Sequence, residues 1–161
     1  MNNRCTPIIA ELNKNMEDTI AFFSSLSPDE LSLQVYQDGA QWTVQQVLAH
    51  FITIERSMQW LFKNILSGGP GSPDGFDVER FNRTQPKKYD GKTIGELIEA
   101  FRSVRNDTIE IVGSMSDADL DREGQHAFHG HGKLERFVIW AYEHVSLHLQ
   151  DLQQRLQKEV L

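Results

Sequence analysis

The feature that most restricts this chain is a spacing. Val44, Val47, Leu48, Phe51, Ile54, Met58, Leu61, Phe62 and Ile65 keep a helical period. So do Ile8, Ile9, Leu12, Met16, Ile20 and Phe23. Because an α-helix turns once in roughly 3.6 residues, each set lines one side of a helix and leaves the other side polar. Leu97, Phe101, Val104, Ile109 and Val112 draw a third stripe, and Ala141, Val145, Leu152 and Leu156 a fourth. Helices of this kind are stabilised mainly by packing their apolar sides together, so the four stripes predict an all-α fold, a four-helix bundle. No stretch alternates at period two for long enough to predict a strand.

The helix ends are written in capping chemistry. Thr6 and Pro7 suit an N-cap and first turn for a helix over residues 7–26. Thr43 with Gln46 and Thr93 with Glu96 have the spacing of capping boxes, which start the second and third helices. The second ends near Leu66, before "SGGPGSPDG", and the fourth covers residues 134–156. "SPDEL" at residues 27–31 predicts a short extra helical turn. Residues 67–92 are rich in Gly, Pro, Asp and Asn, with one turn near residues 78–82, so this long connection predicts a crossover or a lid. A weak repeat also runs through the chain: a long helix, then "LSPDEL" or "MSDADL", then a loop and a histidine-bearing helix. It suggests two helical hairpins built to one plan. At 161 residues the whole chain, 1–161, reads as a single domain.

Composition narrows the setting. Hydrophobic residues make up 39% and charged residues 24%, and no apolar run approaches the roughly 20 residues that span a bilayer, so a soluble protein with no membrane partner is expected. Glu11 and Lys14 interrupt the only apolar stretch near the start, which argues against a secretory leader and for a cytoplasmic protein. The formal charge of −7, with no Lys/Arg stripe interleaved with aromatics, disfavours nucleic acid as a partner. The lone Cys5 cannot close an internal disulfide and reads as an inert thiol.

The stretch "WAYEHVSLHLQ" carries the chemistry. His144 and His148 stand four apart and therefore one helical turn apart on one face, where both rings can reach one ion. His50 lies about 70° to one side of the second stripe, at a bundle rim where it can meet them. Three neutral imidazoles suffice for Zn²⁺, Ni²⁺ or Fe²⁺ with a position left open, although a lone histidine is more often a hydrogen-bonded packing residue. The glutamate that follows the first histidine in HExxH metalloproteases is missing, so a zincin is disfavoured. Glu55 and Asp151 are candidates to orient ligand rings, whereas Glu143 suits an exposed helix back. His126, His129 and His131 in "EGQHAFHGHGKLER" form a rival cluster, but the flanking glycines suggest a flexible or pocket-lining loop.

Taken together, "WTVQQVLAHF", the glycine-containing loop and "HVSLH" resemble the DinB-like superfamily, also called the YfiT-like metal-dependent hydrolases, over nearly the whole chain. The resemblance implies a four-helix bundle with a three-histidine site for Zn or Ni, and commonly a homodimer. Residue by residue it implies His50, His144 and His148 as the metal ligands. Asp151 stands where many relatives have Gln, so no role is carried over to it. Relatives include S-transferases and isomerases that use bacillithiol, mycothiol or glutathione. The expectation is a divalent ion whose free position activates a low-molecular-weight thiol or water against a small-molecule substrate. The competing expectations are a non-catalytic metal-bearing binding or stress-response module and a bundle with no metal.

Overall fold

The computed structural model describes residues 4–160. Seven α-helices are found among them: α1 (Cys5–Ser24), α2 (Pro28–Leu31), α3 (Val44–Leu66), α4 (Val78–Thr84), α5 (Ile94–Gly113), α6 (Asp117–Leu120) and α7 (Leu134–Val160). A 3-10 helix over Gln85–Tyr89 follows α4, and a two-stranded hairpin, β1 (Glu123–His126) and β2 (Gly130–Lys133), precedes α7. The four long helices α1, α3, α5 and α7 form the bundle. None among the described residues is long and apolar enough to cross a membrane.

Both predicted capping boxes are present. The Thr43 hydroxyl accepts from Gln46 N at 3.2 Å while Gln46 Oε1 accepts from Thr43 N at 2.9 Å, and Thr93 and Glu96 repeat the exchange at α5. Ser27 with Glu30 and Ser116 with Asp119 do the same for the short helices α2 and α6. The first helix departs from expectation. It begins at Cys5, not after a Thr6 cap, because a tertiary contact replaces the local one: Arg4 N donates to Asp117 Oδ1 of α6 at 3.2 Å.

The repeat is real in its order of elements, but its halves are not hairpins of adjacent helices. α1 packs on α5 and α7, and α3 packs on the same two, so α1 and α3 occupy opposite corners. In each half a short extended segment leads into the second long helix. Val44 N donates to Leu33 O at 2.9 Å in the first, and Leu134 N donates to Arg122 O at 2.8 Å in the second.

The core has two apolar parts with a polar centre between them. One part gathers Phe23, Val47, Phe51, Phe101 and Val145, and the other Leu12, Phe62, Met115, Leu134 and Phe137. Each of these side chains contributes on the order of 1.5–3 kcal/mol through burial. Where the third stripe reads as apolar, the structure buries Arg105, fully enclosed at 0% exposure, and Thr108, and leaves Ile109 half-buried. Arg105 donates to both carboxylate oxygens of Glu55, at 2.8–3.1 Å. It also donates to Leu12 O, Asn15 Oδ1 and Ala141 O. This one guanidinium therefore ties all four long helices together.

The hairpin is a second departure, since no strand is expected from the sequence. β1 and β2 pair antiparallel from Glu123↔Lys133 to His126↔Gly130. The glycines that suggest flexibility instead permit close packing. A Cβ on Gly124 would stand 2.7 Å from Ile65 side-chain carbons. Gly71, at φ +95, lies so near Gln125 that a Cβ would meet its carbonyl oxygen at 2.4 Å. That close approach lets Gln125 N donate to Pro70 O at 2.8 Å and Gln125 O accept from Ser72 N at 2.7 Å. The start of the long connection is thus fastened to the hairpin.

Candidate metal centre

Helix periodicity places His144 and His148 on one side of α7, and the bundle brings His50 of α3 opposite them. His144 Nε2 lies 3.2 Å from His50 Nε2 and 3.1 Å from His148 Nε2. All three candidate ligand atoms fall within 4.8 Å of one another. Nitrogens each about 2.0–2.1 Å from a shared Zn²⁺ stand about 2.9 Å apart at right angles and about 3.4 Å apart at tetrahedral angles. The two short separations lie between these limits, so the three rings are grouped as ligands that could hold a divalent ion.

The rings are held in two ways. Tyr36, from the segment before α3, places its hydroxyl 2.7 Å from His148 Nδ1 and donates to Asp151 Oδ2 at 2.7 Å. Since the phenol has one proton and gives it to Asp151, its oxygen is free to accept from Nδ1–H of His148. That tautomer leaves the Nε2 lone pair aimed at the other two rings. His50 is oriented by packing instead: Trp42 stacks on it with ring centres 4.3 Å apart and planes 24° apart. Tyr36 and Trp42 are positioned by a short pairing in which Val35 N donates to Trp42 O at 2.9 Å. Nδ1 of His50 and Nδ1 of His144 are buried with no hydrogen-bond partner among the described residues.

Electrostatics keep the rings uncharged. Burial, followed by the neighbouring His144 and His148, pushes His50 well below the ordinary histidine range. Burial pushes His144 down to about 3, and His148 is lowered by burial against a smaller opposing pull from Asp151. Burial and then the Asp151 hydrogen bond raise the Tyr36 hydroxyl, which stays protonated.

The other carboxylates have different places. Glu55, a candidate ring-orienting acceptor, makes no hydrogen bond to the three histidines among the described residues. It is buried one helical turn away, accepting from Arg105 and Thr108, because a charged guanidinium in the core outcompetes a neutral imidazole for it. Asp151 acts on His148 through Tyr36. Glu143 pairs with Arg136 on the surface of α7. Cys5 is buried in α1, and burial raises its thiol pKa.

The histidine-rich loop divides. His131 is exposed on β2, while His126 is buried and its Nδ1 accepts from Phe128 N and His129 N, both at 3.0 Å. None of the three joins the His50, His144 and His148 group. His126 and the turn that it closes instead form a wall of a cavity.

That cavity, of about 390 Å³, opens directly on His50 and His144. Ile54, Met58, Trp60, Leu61 and Trp140 line it from the bundle. Pro73, Phe76, Val78 and Asn82 of the long connection close it from above, as a lid would. A second cavity of about 420 Å³ touches His148, Tyr36, Trp42 and Glu79, and Val78 and Asn82 border both. Tyr36 gives no signal in the sequence, being one aromatic in a loop. A model of the DinB superfamily matches residues 10–152. A search of the curated proteins finds no match.

Proposed function

The chain belongs to the DinB superfamily, and we propose that it is a metal-dependent enzyme in which His50, His144 and His148 hold a divalent ion, Zn²⁺ or Ni²⁺ ahead of Fe²⁺. The observation that carries this reading is the open side of the histidine cluster. Two of its three rings form part of the wall of a ligand-sized cavity, where a purely structural site would be enclosed. An ion at such a site supplies Lewis acidity, lowering the pKa of a water or thiol at its free position toward about 7.

The chain's own residues supply the rest. Tyr36 and Asp151 fix the His148 tautomer, and the Trp42 face holds the His50 ring. Burial keeps the imidazoles neutral, the form in which they bind metal. The aromatic lid and walls limit water around the reacting atoms. Cavities on two sides of the cluster leave room for two reactants, which supports transfer of a low-molecular-weight thiol to a small electrophile. Hydrolysis would use the same arrangement with water in the place of the thiol.

Elemental analysis of protein purified without a His-tag tests the site. Near-stoichiometric metal is expected in the wild type and none in His50→Ala, His144→Ala or His148→Ala. A wild type that binds neither Zn²⁺ nor Ni²⁺ would sink the proposal. A screen of thiols against electrophiles, with and without chelator, then tests the chemistry, and turnover indifferent to the chelator would count against it.

A further inference from the structure

Within the cavity, polarity is scarce. No Asp, Glu, Lys or Arg lines it among the described residues. Trp60 and Phe128, 53% and 69% exposed, stand among its wall residues as apolar surface open to solvent. Such a wall and rim suit an apolar molecule, and apart from an ion held by His50 and His144 they offer no charge to neutralise a charged one.

Ser57, Ser72 and Asn82 also line the cavity, and the Asn82 Oδ1 is a buried acceptor with no partner among the described residues; His126 differs in that its own hydrogen bonds fix which ring nitrogen is the donor. Its Nδ1 accepts from two backbone N–H groups of the hairpin turn and therefore carries no proton, so the proton of the neutral ring sits on Nε2. Nε2 makes no hydrogen bond among the described residues, and it is not one of the ring nitrogens sealed inside the protein. The turn thereby presents one N–H donor from a residue that lines the cavity. We propose that the cavity binds an uncharged, largely apolar ring compound carrying a hydrogen-bond acceptor, such as an aromatic ketone, and that His126 Nε2–H is the specificity-determining contact to that acceptor. This rests on the reading of the cavity as the substrate site, and it names the electrophile's chemical class.

A matched set of naphthalenes tests it by calorimetric titration of the protein as purified. 1-Acetylnaphthalene, with an acceptor, should bind at least fivefold tighter than 1-ethylnaphthalene, which keeps the rings and the two-carbon chain but has none. 1-Naphthalenesulfonate, a charged and weak metal ligand, should bind at least tenfold more weakly than the ketone. The decisive variant is His126→Asn, whose side-chain oxygen stands near the position of Nδ1 and can still accept from the turn, while nothing reaches as far as Nε2. It should hold the ethyl compound as before and lose the preference for the ketone. Nitrogen-15 NMR of the histidine rings gives a measure that needs no variant: His126 should show the Nε2–H tautomer, with that resonance shifting on addition of 1-acetylnaphthalene.

Equal affinity for ketone and ethyl compound, a preference that survives in His126→Asn, tighter binding of the sulfonate, or an Nδ1–H tautomer would each overturn the proposal. Metal content measured on the same samples separates the two readings. Full metal with no ketone preference sinks the His126 assignment alone. Ketone preference in a protein that binds no metal sinks the metal centre and leaves His126 in place.

Discussion

Two polar clusters are buried in this bundle, about one helical turn apart along α3, and they are built on opposite terms. Around Arg105 the donors have partners: the Glu55 carboxylate, the Asn15 amide and two backbone carbonyls, with Thr108 and Gln59 closing the ring. Around His50, His144 and His148 the Nε2 nitrogens face one another, and two of the outer nitrogens have no partner among the described residues. A saturated network has nothing left to offer a ligand and holds helices together. An unsaturated one carries a cost of about 1–3 kcal/mol per unpartnered group, and its inner nitrogens, which have only one another, are available to a ligand. The difference separates a structural centre from the proposed metal centre within a single core.

The sharpest way to break the comparison is to empty the saturated side. Glu55→Ala strands the Arg105 charge in the core and should destabilise the protein by about 3–5 kcal/mol in urea unfolding. A loss below about 1 kcal/mol would mean that water or another group already shares that charge.

Acid should act on the other cluster. The folded-state pKa values of His50, His144 and His148 are lowered relative to the ordinary 6.5, and that of His126 falls to about 4 through burial. The unfolded chain therefore binds more protons below pH 6.5, and stability present above that pH is lost as pH falls toward about 3, the His144 value. Each extra proton taken up gives a slope of about 1.4 kcal/mol per pH unit, so chelator-treated protein should lose about 2 kcal/mol or more between pH 6.5 and 5. An unfolding midpoint flat across that range would contradict the buried neutral rings.

The smallest effect belongs to the link between Asp151 and His148. Tyr36→Phe removes the oxygen that accepts from His148 Nδ1 and should weaken Zn²⁺ binding about tenfold, or about 1.4 kcal/mol, with little change in metal-free stability. Unchanged affinity, measured by competition with a chelating dye, would show that Trp42 and packing alone orient the rings.

Much of this was legible in the residues. The four stripes, the Thr43 and Thr93 caps and the spacing of His144 and His148 are local signals, and the elements form where they indicate. Arg105 had a readable signal too, a charge four residues after Phe101 on an apolar stripe. So did Glu55, four after Phe51, although its partner could not be known from either helix alone. The hairpin was missed because its four-residue strands are rich in glycine and histidine and do not alternate. What stabilises them is Gly124 against Ile65 and Gln125 against Pro70 and Ser72.

The sequence by itself determined the four long helices, the caps at Thr43 and Thr93 and most of the side that each turns inward, because period and capping act over one to four residues. Only the tertiary structure decided that α1 and α3 stand at opposite corners, that Glu55 serves Arg105, that Tyr36 reaches His148 and that His126 walls a cavity. Those contacts join side chains about 50 to more than 110 residues apart. No local propensity encodes such pairings, which follow from how the apolar stripes and buried charges are satisfied together.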